Sequence, residues 1–166
     1  MDDLLIKNYF SESEKENIIK HVYEVLEREK DLSKRSFKEL DNFIEKKELY
    51  CLYKDKKIIG FILKSKLSSK MMEIQGLYID PKFRERGYSL FLMNEVIKNN
   101  NFRYIGVTFN PKVKKRLICI KFKETSFNSL RLIEKVNFLI SRLSRHRMLE
   151  MRRHFKEKKK ISIFIK

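Results

Sequence analysis

The chain has 166 residues, 42% apolar and 12% aromatic, which is enough for one folded core and too hydrophobic for intrinsic disorder. Four Gly and two Pro exclude collagen-like chains, and two Cys exclude a disulfide framework and a thiolate zinc site. No apolar run approaches the roughly 20 residues of a membrane span, and the first ten residues lack the layout of a secretory signal. These features predict a cytoplasmic globular protein with no transmembrane segment.

The net charge of +17 is unevenly distributed along the chain. Residues 1–50 carry 10 basic and 13 acidic side chains, whereas residues 51–166 carry 29 and 9. Two stretches are the most basic, residues 110–123 and 142–166. A field of this sign attracts polyanions, so RNA or an acidic protein is a candidate partner of both stretches. Ordinary solvated lysines are the other interpretation, and net charge alone does not choose between them.

The first elements in chain order are a predicted strand at residues 4–10 and two predicted helices. Ser11, Ser13 and Ser36 each have a Glu three residues later, which is the capping box of a helix start. Apolar residues at helical spacing follow the serines. They are Ile18, Ile19, Val22, Val25 and Leu26 in the first helix, and Phe37, Leu40, Phe43 and Ile44 in the second.

The pattern then alternates between strands and helices. Residues 49–65 are a predicted hairpin, and residues 70–79 are a predicted strand that ends at Asp80-Pro81. A predicted helix at 87–98 and a predicted strand at 103–109, which ends at Asn110-Pro111, follow. A helix and two closing strands follow at 126–136, 138–143 and 147–155, and residues 156–166 are a basic tail or an added strand. This order predicts a single α+β domain over residues 1–155. Its sheet is mixed and mostly antiparallel, with six to seven strands and helices on both faces.

The most informative segment is residues 77–90, LYIDPKFRERGYSL. A strand ends at a proline, a short basic loop follows, and a helix begins directly after it. The start of a helix offers unpaired backbone N–H groups and the positive end of its dipole. Gly87 lets the backbone approach a ligand closely, and Arg84 and Arg86 add positive charge. The segment therefore predicts an anion site that suits a diphosphate.

This segment resembles the acetyl-coenzyme A motif of the GCN5-related N-acetyltransferase (GNAT) family. The family motif is Gln/Arg-x-x-Gly-x-Gly/Ala at a strand–helix junction, here Arg84-x-x-Gly87-x-Ser89. The lead-in LYIDP is similar to the family's Leu-x-Val-x-Pro, whereas Ser89 departs from the usual Gly or Ala. The resemblance implies a GNAT-like fold over residues 4–155. It also implies an N-acetyltransferase that moves the acetyl group of acetyl-CoA to a primary amine by direct attack, without a metal.

The resemblance also implies the residues of the cofactor site. Backbone amides from Arg84 through Leu90 would hold the pyrophosphate of coenzyme A. The strand backbone at Leu77 and Ile79 would pair with the pantetheine arm, with an amide near Ile79 facing the thioester oxygen. The implied cofactor-binding residues are Leu77, Ile79, Arg84, Glu85, Arg86, Gly87, Tyr88, Ser89, Leu90 and Asn128.

A second segment, residues 126–138, is similar to the family's later pattern Asn-x-x-Ala-x-x-Leu-Tyr-x-Lys-x-Gly-Phe. Here Ile133 stands in place of the tyrosine that commonly protonates the departing thiolate, and isoleucine has no proton to give. Asn137 replaces the glycine. Ser126 stands where an asparagine often contacts the cofactor, a place that Asn128 or Asn110 could take. On this alignment residues 110–123 are an insertion between strand and helix.

Candidate catalytic residues lie on the strand before the motif. Glu73 is the candidate general base, with a solvated strand glutamate as the alternative. Tyr78 is either a substitute acid or a packing aromatic. His21 is interpreted as structural, and Cys51 and Cys119 as buried strand residues.

Other functions stay open on the sequence alone. One is a catalytically degenerate GNAT-fold protein that has lost turnover. Another is a basic nucleic-acid-binding module in which phenylalanines stack on bases. The phenylalanines in question are Phe122, Phe127, Phe155 and Phe164. A monomer and a homodimer are equally compatible with the sequence.

Overall fold

The computed structural model describes residues 4–98, 101–142 and 161–166. Five α-helices are found there: α1 (Glu12–Arg28), α2 (Phe37–Glu45), α3 (Tyr88–Val96), α4 (Pro111–Cys119) and α5 (Leu132–Ile140). The strands of the same residues are β1 (Leu4–Lys7), β2 (Leu49–Lys54), β3 (Lys57–Ser68), β4 (Met71–Ile79), β5 (Arg103–Thr108), β6 (Lys123–Thr125) and β7 (Ser162–Ile165). Short 3-10 turns occupy Pro81–Phe83 and Phe127–Ser129.

The strands form a seven-stranded mixed sheet in the order β1-β2-β3-β4-β5-β7-β6. β4 and β5 are parallel, with Met71 opposite Arg103 and Ile74 opposite Gly106. A parallel pair needs a crossover connection, and α3 supplies it. The pairs β1–β2, β2–β3, β5–β7 and β6–β7 are antiparallel. The predicted α+β class and strand number are confirmed.

The chain divides into two compact units. The first unit consists of Met1–Ser65 and Gln75–Lys98 and contains α1, α2 and α3. The second unit consists of Lys66–Ile74 and Asn99–Lys166, and its described residues contain α4, α5 and the strands β5 to β7.

The core of the first unit is built on the two helices that the capping boxes predict. The Ser36 side chain accepts the Glu39 N–H at 3.2 Å, and the Glu39 carboxylate accepts the Ser36 N–H at 2.8 Å. These bonds satisfy backbone groups that a helix start otherwise leaves without partners. The apolar faces of α1 and α2 then pack in one buried cluster with residues of β2 and β3. The cluster includes Val22, Leu26, Leu40, Ile44, Leu49, Cys51 and Phe61.

The core of the second unit contains Leu67, Met71, Ile105, Leu130 and Phe138. Helix α5 is attached to the strands of this unit by polar contacts as well. Glu134 is 1% exposed and forms an ion pair with Arg103 of β5 at 3.2 Å. The Asn137 side chain donates to the carbonyl of Leu67 on β3. β7 lies between β5 and β6, so the C-terminal residues 162–165 are part of the sheet.

Two predictions for the C-terminal third of the chain are wrong. The helix predicted at 126–136 begins only at Leu132, because the Glu134 carboxylate accepts the Arg131 N–H at 2.9 Å and defines the start of α5 there. Residues 138–140 are helical rather than a strand, because Phe138 lies one turn beyond Glu134 on the buried face. The strand predicted at 147–155 lies outside the described residues.

Within the described residues, no helix combines the length and the apolar composition that crossing a membrane requires.

Candidate active site

The junction between β4 and α3 follows a path fixed by Asp80. Its backbone N–H donates to the carbonyl of Ile59 on β3 at 2.8 Å. Its carboxylate Oδ1 accepts the Lys82 N–H at 2.9 Å and caps the 3-10 turn Pro81–Phe83. The predicted strand–loop–helix is therefore present, with four residues, 84–87, between the turn and the helix.

These four residues include two with left-handed backbone angles. Gly87 has φ +80° and is the residue before α3, and Glu85 has φ +66°. A non-glycine residue at positive φ is uncommon, so the loop is held in a specific curved form. A Cβ added to Gly87 would meet no atom within 4 Å. The space above this backbone is therefore open to a ligand.

The loop also presents backbone donors. Within the described parts of the chain, no group accepts the amide N–H of Glu85, Arg86 or Gly87. The first N–H groups of α3 follow directly, and a helix start leaves its first amides without intrahelical acceptors. Consecutive amides in a curved loop and the positive end of a helix dipole together attract anions. The geometry of residues 85–90 thus fits a phosphate-binding loop.

The two arginines of the loop have different surroundings. Arg84 donates from Nε to the carbonyl of Ile79 at 2.9 Å and lies 3.6 Å from the Glu29 carboxylate. Its guanidinium is thus engaged with the protein and holds the loop to the end of β4. Arg86 is exposed and lies 6.0 Å from the centre of the Phe83 ring. Of the two side chains, Arg86 has the greater freedom to reach an anion.

The remaining loop and strand residues of the predicted cofactor site also lie in the first unit. Tyr88 and Ser89 are buried at the start of α3, and Leu90 is half-buried. The Tyr88 hydroxyl accepts from Lys54 Nζ at 3.4 Å. Ser89 is 7% exposed and fits the place where the family motif has Gly or Ala. Leu77 is half-buried and Ile79 buried in the last residues of β4, after the β4–β5 register has ended at Ile74.

Tyr78 packs in the core of the first unit. Its ring lies 5.4 Å from that of Phe61, and its hydroxyl accepts from Arg28 at 3.1 Å. Burial, with a smaller contribution from the Asp80 carboxylate, raises the pKa of Tyr78 above its usual value. A tyrosine with a raised pKa is a weaker acid than a free phenol. Its role as a proton donor stays a prediction.

Glu73 lies on β4 within the second unit and is 2% exposed. The alternative that it is a solvated glutamate is therefore wrong. Its carboxylate forms an ion pair with Arg142, the second residue after α5, with Arg142 Nη2 2.5 Å from Oε1. The sequence singled out Glu73 but not Arg142, which was one basic residue among many in 142–166. Its role as the general base stays a prediction.

Residues 110–123 contain the helix α4, which follows β5 directly and which the sequence did not predict. Asn110 caps this helix by accepting the Lys112 N–H at 2.9 Å. The helix is followed by Lys121 at φ +68° and by the buried Phe122. Asn137, which the sequence placed at the glycine, lies inside α5.

The residues considered for the later family pattern lie on different elements. Asn110 caps α4, whereas Asn128 is an exposed residue of the 3-10 turn Phe127–Ser129. Leu117 is 2% exposed on α4, and Ile133, which the resemblance places at the tyrosine, is 57% exposed on α5. The strand-ending Asn110-Pro111 was the sequence signal that could have located this helix start.

The cysteines have different environments. Cys51 is fully buried on β2, and burial raises the pKa of its thiol to about 12, so it is unreactive at neutral pH. Cys119 is exposed on α4, so the prediction that it is a buried strand residue is wrong. No group of three or more His, Cys, Asp or Glu side chains suited to a metal ion is found among residues 4–98, 101–142 and 161–166.

Comparison with known proteins gives a family match and a set of structural neighbours. A family model described as Acetyltransferase (GNAT) family matches residues 14–108, which is more than half of the chain. These residues run from the first turn of α1 to the end of β5 and include the whole loop at residues 84–87. No curated protein matches the sequence at a significant level.

Three solved structures illustrate the fold similarity. N-acetylglutamate synthase from Neisseria gonorrhoeae, complexed with coenzyme A and N-acetyl-glutamate, has a TM-score of 0.71 at 17% identity; the match covers 100% of this chain and 35% of that one. Rv2747 from Mycobacterium tuberculosis, in complex with CoA and a second ligand, has a TM-score of 0.69 at 14% identity and 97% coverage of both chains. The putative acetyltransferase yncA from Salmonella typhimurium, with its cofactor acetyl-CoA, has a TM-score of 0.60 at 10% identity, with 75% and 82% covered. The chain thus spans about a third of the length of the synthase.

Proposed function

Because this chain belongs to the acetyltransferase (GNAT) family, we propose that it is an acetyl-CoA-dependent N-acetyltransferase that acetylates a primary amine. The observation that carries the proposal is the loop 84–87. It offers amides without acceptors among the described residues, open space over Gly87 and the start of α3. Structural neighbours that share the fold were crystallised with coenzyme A or acetyl-CoA, which supports the same substrate here.

The loop would hold the pyrophosphate of coenzyme A through the amides from Glu85 to Leu90. Arg86 would add a mobile positive charge, and Arg84 would keep the loop fixed to the end of β4. Leu77 and Ile79 would offer strand backbone to the pantetheine arm. An amide donor near Ile79 that faces the thioester oxygen would lower the barrier by about 3–4 kcal/mol, because that oxygen gains negative charge during attack.

The proposed reaction is a direct transfer. Glu73, through a water molecule, takes a proton from the acceptor ammonium, and the neutral nitrogen then attacks the thioester carbonyl carbon. A C–N bond forms, the C–S bond breaks, and coenzyme A leaves as a thiolate. The nitrogen loses its second proton as the amide forms, and the thiolate takes up a proton. The products are the N-acetylated acceptor and free coenzyme A.

Protonation of the thiolate would not need a tyrosine. Because α4 is capped by Asn110 and followed by Lys121 at positive φ, we propose that it carries the family's later pattern. Leu117 would then stand where the family commonly has a tyrosine, and leucine has no proton to donate. A thiol has a pKa of about 8.5, so its thiolate is a tolerable leaving group near neutral pH and water can protonate it. Tyr78 is the alternative donor, although its raised pKa makes it a weak one. Either route would allow turnover without a tyrosine at that position.

The charge of the chain bears on the acceptor. α4 and the residues around it carry six basic and no acidic side chains between 110 and 123, and residues 142–166 carry ten basic and two acidic ones. Positive charge of this density repels a polyamine and attracts an acidic peptide, or an amine carried on a polyanion. We propose an acidic protein or peptide as the acceptor class.

Nucleic-acid binding by stacked phenylalanines is the weaker candidate function. Of the four phenylalanines considered for stacking, Phe122 is 3% exposed and Phe164 is fully buried. Phe127 is half-buried and packs 5.7 Å from Phe138. These three side chains serve the fold, so base stacking has no support among the described residues.

The proposal is tested by following coenzyme A release from acetyl-CoA with a panel of amine acceptors. The panel contains free amino acids, a polyamine, and acidic and basic peptides with free α-amino and lysine amines. We expect release that depends on the acceptor, with the mass of one acetyl group added to an acidic peptide. Acetyl-CoA consumption that is equal with and without every acceptor would contradict the proposal.

A further inference from the structure

Helix α5 of the second unit presents an exposed apolar face. Its inner side carries the buried residues Glu134 and Phe138, and Phe138 packs in the core of the unit. On the other side, five aliphatic side chains are between 42% and 79% exposed: Leu132, Ile133, Val136, Leu139 and Ile140. Val136 is three or four positions from each of the other four, so the five side chains form one stripe along the helix. We call this stripe the outer face of α5.

The composition of the outer face indicates what it contacts. Five of the eleven large apolar side chains that are exposed among the described residues lie on this one helix, so they form a patch rather than scattered single residues. The patch contains only leucine, isoleucine and valine. The cores of protein–protein interfaces are enriched in aromatic residues, methionine and arginine, and the outer face has none of these. A purely aliphatic face suits the acyl-chain boundary of a lipid surface better than the shaped pocket of a protein.

The same unit carries positive charge that its own acids do not neutralise. The three acidic residues in its described part are each paired with a basic one: Glu73 with Arg142, Glu124 with Lys114, and Glu134 with Arg103. Further lysines and arginines are exposed on α4, at the β3–β4 turn and before α5, where Lys121, Lys123 and Arg131 lie. The described part of the unit is therefore cationic outside these pairs. Its charge is complementary to an anionic surface.

We propose that the outer face of α5 docks the chain on a membrane surface that contains anionic lipids. The five aliphatic side chains enter the boundary between head groups and acyl chains, and the exposed lysines and arginines of the unit attract the anionic head groups. An interfacial helix binds through these same two contributions. With nine residues, α5 lies on the surface and does not cross it. This inference goes beyond the acetyltransferase reaction and does not depend on it.

The test measures the binding of the full chain to lipid vesicles by co-sedimentation. Vesicles of phosphatidylcholine alone are compared with vesicles that contain about 30% phosphatidylglycerol, an anionic lipid. The outer-face variant combines Leu132→Ser with Leu139→Ser, which removes two exposed leucines and keeps every charge. The matched control combines Leu5→Ser with Phe91→Ser, which removes two exposed apolar side chains from the first unit. The midpoint of thermal unfolding is measured for both variants.

We expect the wild-type chain to bind the anionic vesicles at least about tenfold more tightly than the neutral ones, because each basic residue near an anionic surface is worth about fivefold in affinity. Salt raised from about 0.1 M to about 1 M should weaken this binding, since the Debye length falls from about 10 Å to about 3 Å. The outer-face variant should bind about 30-fold more weakly, because each leucine transferred from water is worth about tenfold. The control should bind like the wild type, and both variants should keep the wild-type unfolding midpoint.

Several results would overturn the inference. Wild-type protein that does not bind the anionic vesicles would do so, and equal binding of the outer-face variant would assign the binding to charge alone. A wild-type dimer in analytical ultracentrifugation that the variant loses would identify a second copy as the occupant of the face. Tighter binding of an acidic amphipathic peptide than of anionic vesicles would identify a protein partner. A lower unfolding midpoint in the outer-face variant alone would show that the chain covers this face itself.

Discussion

Replacement of Gly87 by glutamate is expected to weaken coenzyme A binding by about 100-fold or more. The backbone at Gly87 has φ +80°, a left-handed conformation that strains glutamate. The new carboxylate would also stand beside the loop amides that are proposed to face the pyrophosphate. Like charges at a binding surface cost several kcal/mol, which corresponds to at least two orders of magnitude in affinity. Calorimetric titration with coenzyme A measures the change directly.

Two controls separate the causes of that loss. Gly87→Asn adds a neutral side chain that tolerates left-handed angles, and its Cβ enters open space, so it should retain most of the affinity. Ser69→Glu adds the same negative charge at the exposed β3–β4 turn and should bind like the wild type. If Gly87→Glu folds and binds coenzyme A with unchanged affinity, the assignment of the loop is incorrect.

Replacement of Glu73 by glutamine is expected to lower kcat by about 10²-fold or more, since general base catalysis commonly contributes 10²–10⁴. Glutamine has nearly the same shape but cannot take the proton of the acceptor amine. The affinity for acetyl-CoA should stay within a factor of about two, because the loop that binds it is unchanged. Steady-state kinetics of coenzyme A release at neutral pH separate the two effects.

Glu134→Gln is the matched control for this prediction. Glu134 is also a buried carboxylate paired with an arginine, and its loss also leaves a guanidinium without its counter-charge. Both variants should therefore lower the midpoint of thermal unfolding, while only Glu73→Gln should lower kcat strongly. Equal kcat losses in the two variants would show that the effect comes from the packing of α5 rather than from a base.

The parts of the fold that were predictable from sequence are those specified by neighbouring residues. The capping box at Ser36 and Glu39 involves residues three apart, and the strand–loop–helix junction lies within the fourteen residues 77–90. In both cases the chemistry and the geometry are set within one turn or one junction. Local patterns therefore located α2 and the strand–loop–helix junction correctly.

The later helices were misplaced for two physical reasons. The left-handed position after α4 is occupied by Lys121 rather than glycine, so the usual signal for the end of a helix is missing. The apolar centre of residues 110–123 also fits either a helix or a strand, which is why Cys119 was assigned to a buried strand. The helix predicted at 126–136 is, in the structure, a 3-10 turn at Phe127–Ser129 followed by α5.

The Glu73–Arg142 pair could not be predicted from the sequence at all. The two residues are 69 positions apart, and Arg142 lies in a stretch where one residue in three or more is basic. Only the folding of α5 along its Glu134–Phe138 face brings the guanidinium to β4. Long-range ion pairs of this kind depend on tertiary packing, for which a single sequence holds no periodic signal.

The measurement that tests the central claim most directly is thermal unfolding of the wild-type chain with acetyl-CoA, with free coenzyme A and with ATP. Ligand at 100 times its dissociation constant adds about 2.7 kcal/mol of stability, which at this size raises the midpoint by roughly 5–10 °C. We predict a rise of that order with both coenzyme A compounds and little change with ATP. An equal rise with all three ligands, or no rise with any, would contradict the claim that the loop at residues 84–90 is a coenzyme A site.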